Sequence, residues 1–199
     1  LVWCLDAALS AAGVVGAVVA AHPGERAEFD RLAADAAERH GKPVLVTEGG
    51  ATRSHSVRAA VRVAAGLGLQ HDALVVHDAA RPQATPELFD ACLAGLADAG
   101  CVVAAAPATD TIKVAHEDLS VAQTLDRGRL WAVQTPQAFE RTLLERALEA
   151  DDETLAAATD DASLVEAIAT VRLLPWSHPN PKVTQPEDLA TVGERLAAQ

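Results

Sequence analysis

Cations are scarce in this chain: 16 lysines and arginines stand against 28 aspartates and glutamates, a formal charge of −12. A surface this acidic repels phosphate backbones and anionic headgroups, which argues against nucleic acid or an anionic membrane as the partner. Long apolar runs are also missing. Half of the 199 residues are apolar, yet no run approaches the roughly 18–20 residues that cross a bilayer. Leu9–Ala21 comes nearest, but Ser10, Gly13 and Gly16 break it and no basic flank precedes it. It reads as a helix end, a turn and a strand, not as a signal peptide. The three cysteines, Cys4, Cys92 and Cys101, are odd in number and widely spaced in apolar surroundings. They fit buried thiols in a reducing cytoplasm better than disulfides or a metal site. Methionine is absent altogether, and Leu1 opens directly into a helical pattern without a capping residue. We therefore expect residues upstream of Leu1 in the gene. Neither an internal repeat nor linker-like composition interrupts residues 1–199, which read as a single domain.

What is present is a rhythm of short strands and helices. Val14–Ala20, Val44–Thr47, Ala73–Val76, Cys101–Ala106 and Thr170–Leu174 read as strands. Between and around them, Leu1–Ala12, Glu25–Arg39, Ser54–Ala65, Pro86–Ala97, Phe139–Ala150 and a segment ending near Ala167 read as helices. Thr184-Gln185-Pro186-Glu187 starts a last helix running to Gln199, with Thr184 as cap and Glu187 reaching back. This alternation predicts an α/β fold, a mainly parallel sheet with helices on both faces. Residues 108–133 break the rhythm: Thr111–Val114 and Val121–Leu125 look like strands around a polar turn. They predict a protruding β-arm that packs on something else, a second subunit among the options.

Polar clusters fall where these strands end, which is where ligands bind in an open α/β sheet. Ala73–Val76 stops at His77-Asp78, followed by two alanines, Arg81 and Pro82. Asp78 can accept hydroxyl hydrogen bonds or sit near a hydrated magnesium ion, and Arg81 can pair with it or bind an oxyanion. A mutual surface salt bridge is the plainer alternative. Gly49-Gly50-Ala51-Thr52-Arg53-Ser54-His55-Ser56 joins a strand to a helix, and its amides suit phosphate or base acceptors. It matches neither the P-loop nor the dinucleotide fingerprint. Asp110-Thr111-Ile112-Lys113 and Thr124-Leu125-Asp126-Arg127 flank the arm, as a phosphate grip or as solvated hairpin ends. Lys182, after a Pro-rich stretch, can neutralise charge on a transferring phosphoryl group or simply face solvent. His55 and His77 have no nucleophile motif beside them and read as structural.

Taken together, H-D-A-A-R-P, G-G-x-x-R-x-x-S-V, D-T-I-K, T-x-D-R-x-x-L-W, Q-T-P-Q-x-F, T-D-D-A-S and K-V-T-x-P-E-D-L resemble one family. That family is the 2-C-methyl-D-erythritol 4-phosphate cytidylyltransferases of the non-mevalonate isoprenoid pathway. The resemblance implies a Rossmann-like nucleotidyltransferase fold and a cytoplasmic homodimer whose arms reach across to the partner's site. It also implies CTP, a polyol phosphate and Mg2+ held mainly by the CTP phosphates. Gly50, Ala51, Ser56 and Arg53 would line the nucleotide site, with Ala79 at the ribose. Asp78, Arg81, Thr135 and Thr159 would surround the methylerythritol phosphate, with Thr111 arriving from the partner. Arg127, also from the partner, and Lys182 would hold the attacking phosphate as catalytic residues. Ala51 stands where some members carry Asp, so only backbone can serve there. The family also begins with a strand and a glycine-rich loop bearing two cations, and this chain starts after that segment. Ribitol 5-phosphate cytidylyltransferases share much of the pattern, and a binding module without activity is the reading from a different class.

Overall fold

The computed structural model describes residues 1–69 and 71–197; the expected final turn of the last helix, at residues 198–199, lies outside them. The chain runs α1 (Val2–Ser10), β1 (Ala17–Ala21), α2 (Arg26–His40), β2 (Val44–Glu48), α3 (Arg53–Ala64), β3 (Ala73–Val76), α4 (Pro86–Ala94) and β4 (Cys101–Pro107). It continues through β5 (Lys113–Ala115), β6 (Val121–Thr124), β7 (Trp131–Glu140), α5 (Arg141–Ala147), α6 (Asp152–Ala157), α7 (Asp161–Val165), β8 (Val171–Pro175) and α8 (Pro186–Ala197). Local chemistry sets several of these ends. Gly41, at φ 63°, closes α2 in the left-handed conformation that glycine adopts without strain. The Thr52 hydroxyl caps α3 by accepting from the His55 amide.

The larger sheet has the order β3-β7-β4-β8. Period-2 alternation sends its side chains to two separate cores. Leu74, Val76, Val103 and Phe139 pack with Leu143, Leu144 and Val165 on one face. Val75, Ala104 and Ala138 pack with Leu88, Phe89 and Cys92 on the other. Helices therefore cover both faces, as the alternating pattern requires. All three cysteines are free and buried, and burial pushes the thiols of Cys92 and Cys101 up to about 12.

Four expectations need correcting. The larger sheet is mixed, not mainly parallel: β7 runs antiparallel to both β3 and β4, while β8 is parallel to β4. β7 also continues through Gln134-Thr135-Pro136-Gln137 to Glu140, where a helix starting at Phe139 was expected. It can do so because a bulge opposite Val103–Ala105 takes residues 134–136 out of the ladder, sparing Pro136 the bond it cannot donate. The sequence reading left out α6, whose six residues are too few to show a helical period. At the start of α8 the folding-back carboxylate is Asp188, which accepts from the Thr184 and Gln185 amides at 2.8 and 2.9 Å, rather than Glu187.

The first two strands stand apart. β1 pairs in parallel with β2 as a separate two-stranded sheet. Among the described residues β1 has no partner besides β2, and β3 none besides β7. Between those open edges lies an apolar cavity of about 560 Å3, lined by β1, β3, α1 and α3 and reaching Arg53, Ser56 and Asp78.

Candidate functional site

β3 delivers the chain into a turn closed by the Arg81 amide on the Asp78 carbonyl at 2.9 Å. His77, just before that turn, lies edge-on to Phe89 with ring centroids 5.1 Å apart. Its Nε2 donates to the Arg81 carbonyl, and its Nδ1 accepts from the Thr135 hydroxyl, both at 3.1 Å. Thr135, buried on the β7 bulge, in turn accepts from the Asp78 amide at 3.0 Å. The Thr135 hydroxyl thus ties His77 and Asp78 to β7, donating to the one and accepting from the other. Burial drives the His77 pKa down to about 4, so the ring is neutral here near pH 7.

This has a consequence for acid stability. The folded pKa of His77 lies below its ordinary 6.5, so the unfolded chain takes up a proton that the folded chain refuses. The stabilisation is complete above pH 6.5 and falls by about 3 kcal/mol on acidification toward pH 4. Urea unfolding measured across that interval should show the slope in the native chain and a shallower one in His77→Gln. Equal slopes would remove His77 as the cause.

Asp78 is the meeting point of charges from three distant segments. Arg53, the first residue of α3, donates from Nε to Asp78 Oδ1 at 2.9 Å. Lys182 donates to Asp78 Oδ2 at 2.8 Å. Arg53 also donates from Nη1 to Asp161 Oδ2 at 2.5 Å. Burial opposes ionisation of Asp78, but the Lys182 hydrogen bond and the Arg53 charge outweigh it and hold the pKa below the usual carboxylate range. For Asp161, which has no exposed surface, burial dominates and raises the pKa despite Arg53.

The segment carrying Lys182 is strapped to the turn after β3. The Val183 amide donates to the Ala80 carbonyl at 2.8 Å, and Arg81 Nη1 donates to the Asn180 carbonyl at 2.7 Å. The Arg81 guanidinium therefore grips backbone, and its Nε is buried without a partner among the described residues. Buried Asn180 donates to the Thr135 carbonyl at 2.8 Å and to Gln134 at 3.1 Å. On the other side, Gln137 of β7 donates to Asp160 Oδ2 at 2.8 Å and accepts from the Ala162 amide at 3.2 Å. That clamp fixes Asp160 as the cap of α7 and leaves Thr159 exposed just before it.

The glycine loop is built by Ser56. Its hydroxyl accepts from the Gly50 amide and donates to the Thr52 carbonyl, both at 3.0 Å. A Cβ on Gly50 would lie 2.4 Å from the Cβ of His55, so no other residue fits without moving the helix start. Ala51 and Ala79 are exposed. Thr111 and Arg127 lie elsewhere, exposed at the base of the β5–β6 arm, where Arg127 donates to the Thr109 carbonyl at 2.9 Å.

Sequence reasoning named Asp78, Arg53, Lys182, Arg81 and Thr135, which the fold brings together, and left out Asp161, Gln137 and Asn180. The first two lie inside the T-D-D-A-S and Q-T-P-Q motifs, but nothing in either marks a residue as buried against a distant arginine or helix.

A phosphate-sized anion arriving at Lys182 meets two cations around one carboxylate, with no paired nucleophile among the described residues. That combination on an α/β sheet suits a nucleotidyltransferase, which joins two phosphates without a covalent enzyme intermediate. The model of the IspD family, 2-C-methyl-D-erythritol 4-phosphate cytidylyltransferase, matches residues 1–197. The chain belongs to this family and is a CTP-dependent cytidylyltransferase of isoprenoid biosynthesis. The cytidylyltransferase of Synechococcus elongatus is 39% identical over 96% of this chain and 80% of its own length. That of Microcystis aeruginosa is 36% identical over 100% and 86%. A bifunctional IspD/IspF enzyme of an Anaeromyxobacter species is 45% identical over 79% of this chain, which spans 41% of that longer protein. Among solved structures, the cytidylyltransferase of Thermus thermophilus superposes with a TM-score of 0.75 at 29% identity, covering 99% of this chain and 88% of that one. No helix among the described residues is long and apolar enough to cross a membrane.

Proposed function

We propose that this chain transfers the cytidylyl group of CTP to 2-C-methyl-D-erythritol 4-phosphate in the cytoplasm, at a site completed by a second copy. An oxygen of the alcohol's phosphate attacks the α-phosphorus in line, the bond to the β-phosphate breaks, and pyrophosphate leaves. The convergence of Arg53, Asp78, Asp161 and Lys182 at the strand ends carries this reading. Lys182, with 42% of its side chain exposed, exchanges the Asp78 carboxylate for the incoming phosphate and neutralises the charge that grows there. Asp78, freed of one cation, accepts from the alcohol's hydroxyls. Backbone at Gly50 and Ala51, with Ser56 behind it, receives the cytosine, and Ala79 meets the ribose. Thr135 and Arg81 serve by holding the turn, and Thr159 borders the alcohol phosphate.

A magnesium ion held by the CTP phosphates would neutralise charge on the triphosphate. Among the described residues no three His, Cys, Asp or Glu side chains converge, and Asp78 already faces two cations. These residues fit an ion that the nucleotide would carry, with Asp78 the carboxylate that would accept from its hydration water.

The cavity between β1 and β3 takes one further strand. Two open edges and an apolar lining support this.

The arm supports the homodimer. Both its strands are exposed along their whole length, with Ile112, Val114, Leu119 and Val121 bare, more than a lone hairpin tolerates in water. Packed on a second copy, it brings Thr111 and Arg127 to the partner's Lys182. Mixing Arg127→Ala with Lys182→Ala tests this. Statistical mixed dimers restore one intact site per hybrid, about a quarter of native activity. Activity no higher than that of either variant alone would place Arg127 in its own subunit's chemistry or in none. Parallel assays with ribitol 5-phosphate decide the alcohol.

A further inference from the structure

Asp161 has no part in the reading above beyond its salt bridge, yet it is the one carboxylate of the cluster with no exposed surface. Its Oδ2 accepts from Arg53, and its Oδ1 has no partner among the described residues. Two cations and two carboxylates meet here in a chain of alternating sign, Asp161–Arg53–Asp78–Lys182. Arg53 is the only member bonded to two carboxylates, and its planar fork serves both at once: Nη1 reaches Asp161 while Nε reaches Asp78. Asp78 divides its two oxygens between Arg53 and Lys182.

We propose that Asp161 is a positioning residue that sets the aim of Lys182 through Arg53 and Asp78. By taking up the charge of Arg53, it leaves one oxygen of Asp78 for Lys182. Without that buried negative charge, Arg53 draws Asp78 to itself with both oxygens, in the bidentate geometry a guanidinium favours. Lys182 then loses the acceptor that holds its flexible stem over the alcohol-phosphate position. Asp161 is well placed for this work because water cannot screen it and substrate cannot reach it. Its own aim is fixed from behind, since it opens α7, whose cap Asp160 is held by Gln137 of β7. The inference rests on Lys182 acting at the alcohol phosphate.

The test is the Michaelis constant for each substrate, which does not depend on how much of a preparation is folded. Asp161→Asn keeps the shape and removes the charge. It should raise KM for methylerythritol phosphate about tenfold while KM for CTP stays within about twofold. Removing the surplus cation as well, in Asp161→Asn/Arg53→Gln, should bring KM for the alcohol phosphate back to within about threefold of native. A double variant no better than the single, or an unchanged KM in Asp161→Asn, overturns the proposal. Should Asp161→Asn not fold, Arg53→Lys serves: one ammonium cannot fork to two carboxylates, and the same KM for the alcohol phosphate should rise. An unchanged value there overturns the proposal too. Lys182→Met separates the two levels of the argument. If it leaves KM and kcat for the alcohol phosphate unaltered, the site reading fails; if it alters them and Asp161→Asn does not, only the role of Asp161 fails.

Discussion

Replacing Lys182 by methionine should lower kcat by about 10²–10³-fold, the loss seen when one preorganised donor is taken from a developing oxyanion. The side chain is close to isosteric and the stem still packs, so only the charge is removed. In the resting molecule that charge faces Asp78 at 2.8 Å from a position 42% exposed to solvent. Water and salt screen such a pair, so its contribution to stability is under about 1 kcal/mol. Asp78 also keeps Arg53 at 2.9 Å and is not left as a bare buried carboxylate. Chemistry and stability are therefore expected to separate: a large fall in kcat with a melting temperature nearly that of the native chain. Steady-state assays at saturating CTP and both alcohol-phosphate extremes, beside a thermal melt, read the two quantities. A fall of less than about fivefold would move the phosphate elsewhere.

The strand ends were legible because composition changes abruptly there. β3 was bounded correctly at Ala73–Val76, since an apolar β-branched run can only stop where His77-Asp78 begins. The arm was legible as a break in the α/β rhythm, and β5 and β6 fall inside the expected 108–133. The partners of each charge were not. Arg81 stands three residues from Asp78 and looks like its natural mate, yet the turn carries its guanidinium to Asn180, 99 positions away. Arg53 takes that place from 25 positions away. Asp161 resembles the acidic residue expected in any helix's first turn, and its burial follows from how β7 and α7 pack, which no local pattern encodes. β7 itself was not read as a strand: Pro136 interrupts its pattern, and a bulge is a property of the partner strand as much as of the residues in it. Sequence thus located the segments that carry charge, while the sheet decided which charges meet.

Arg53→Gln should cost about 3–5 kcal/mol of folding stability at neutral pH, the penalty of leaving a buried ion without its counter-charge. The stranded group is Asp161, fully buried and with one oxygen already unpartnered. Glutamine offers it a hydrogen bond at best. Even with Arg53 present, burial holds the pKa of Asp161 above the ordinary 3.8, with Arg53 the main opposing influence; without it the rise must be larger. The sign of the pH dependence follows. An acid whose folded pKa exceeds its unfolded one binds more protons when folded, so its contribution to stability falls as pH rises from 3.8 toward the folded pKa. The deficit of Arg53→Gln against the native chain should accordingly be largest near pH 7.5 and shrink toward pH 4.5. Comparing the two proteins at each pH removes most of the loss through His77, whose lowered pKa comes mainly from burial and only in smaller part from Arg53. Adding Asp161→Asn should recover most of the deficit at pH 7.5, because a neutral amide pair replaces an unpaired carboxylate. Urea denaturation of native, single and double variants at the two pH values measures each of these differences. A deficit independent of pH, or one that the second substitution deepens, would mean that packing around the guanidinium, and not the charge on Asp161, ties α3 to α7.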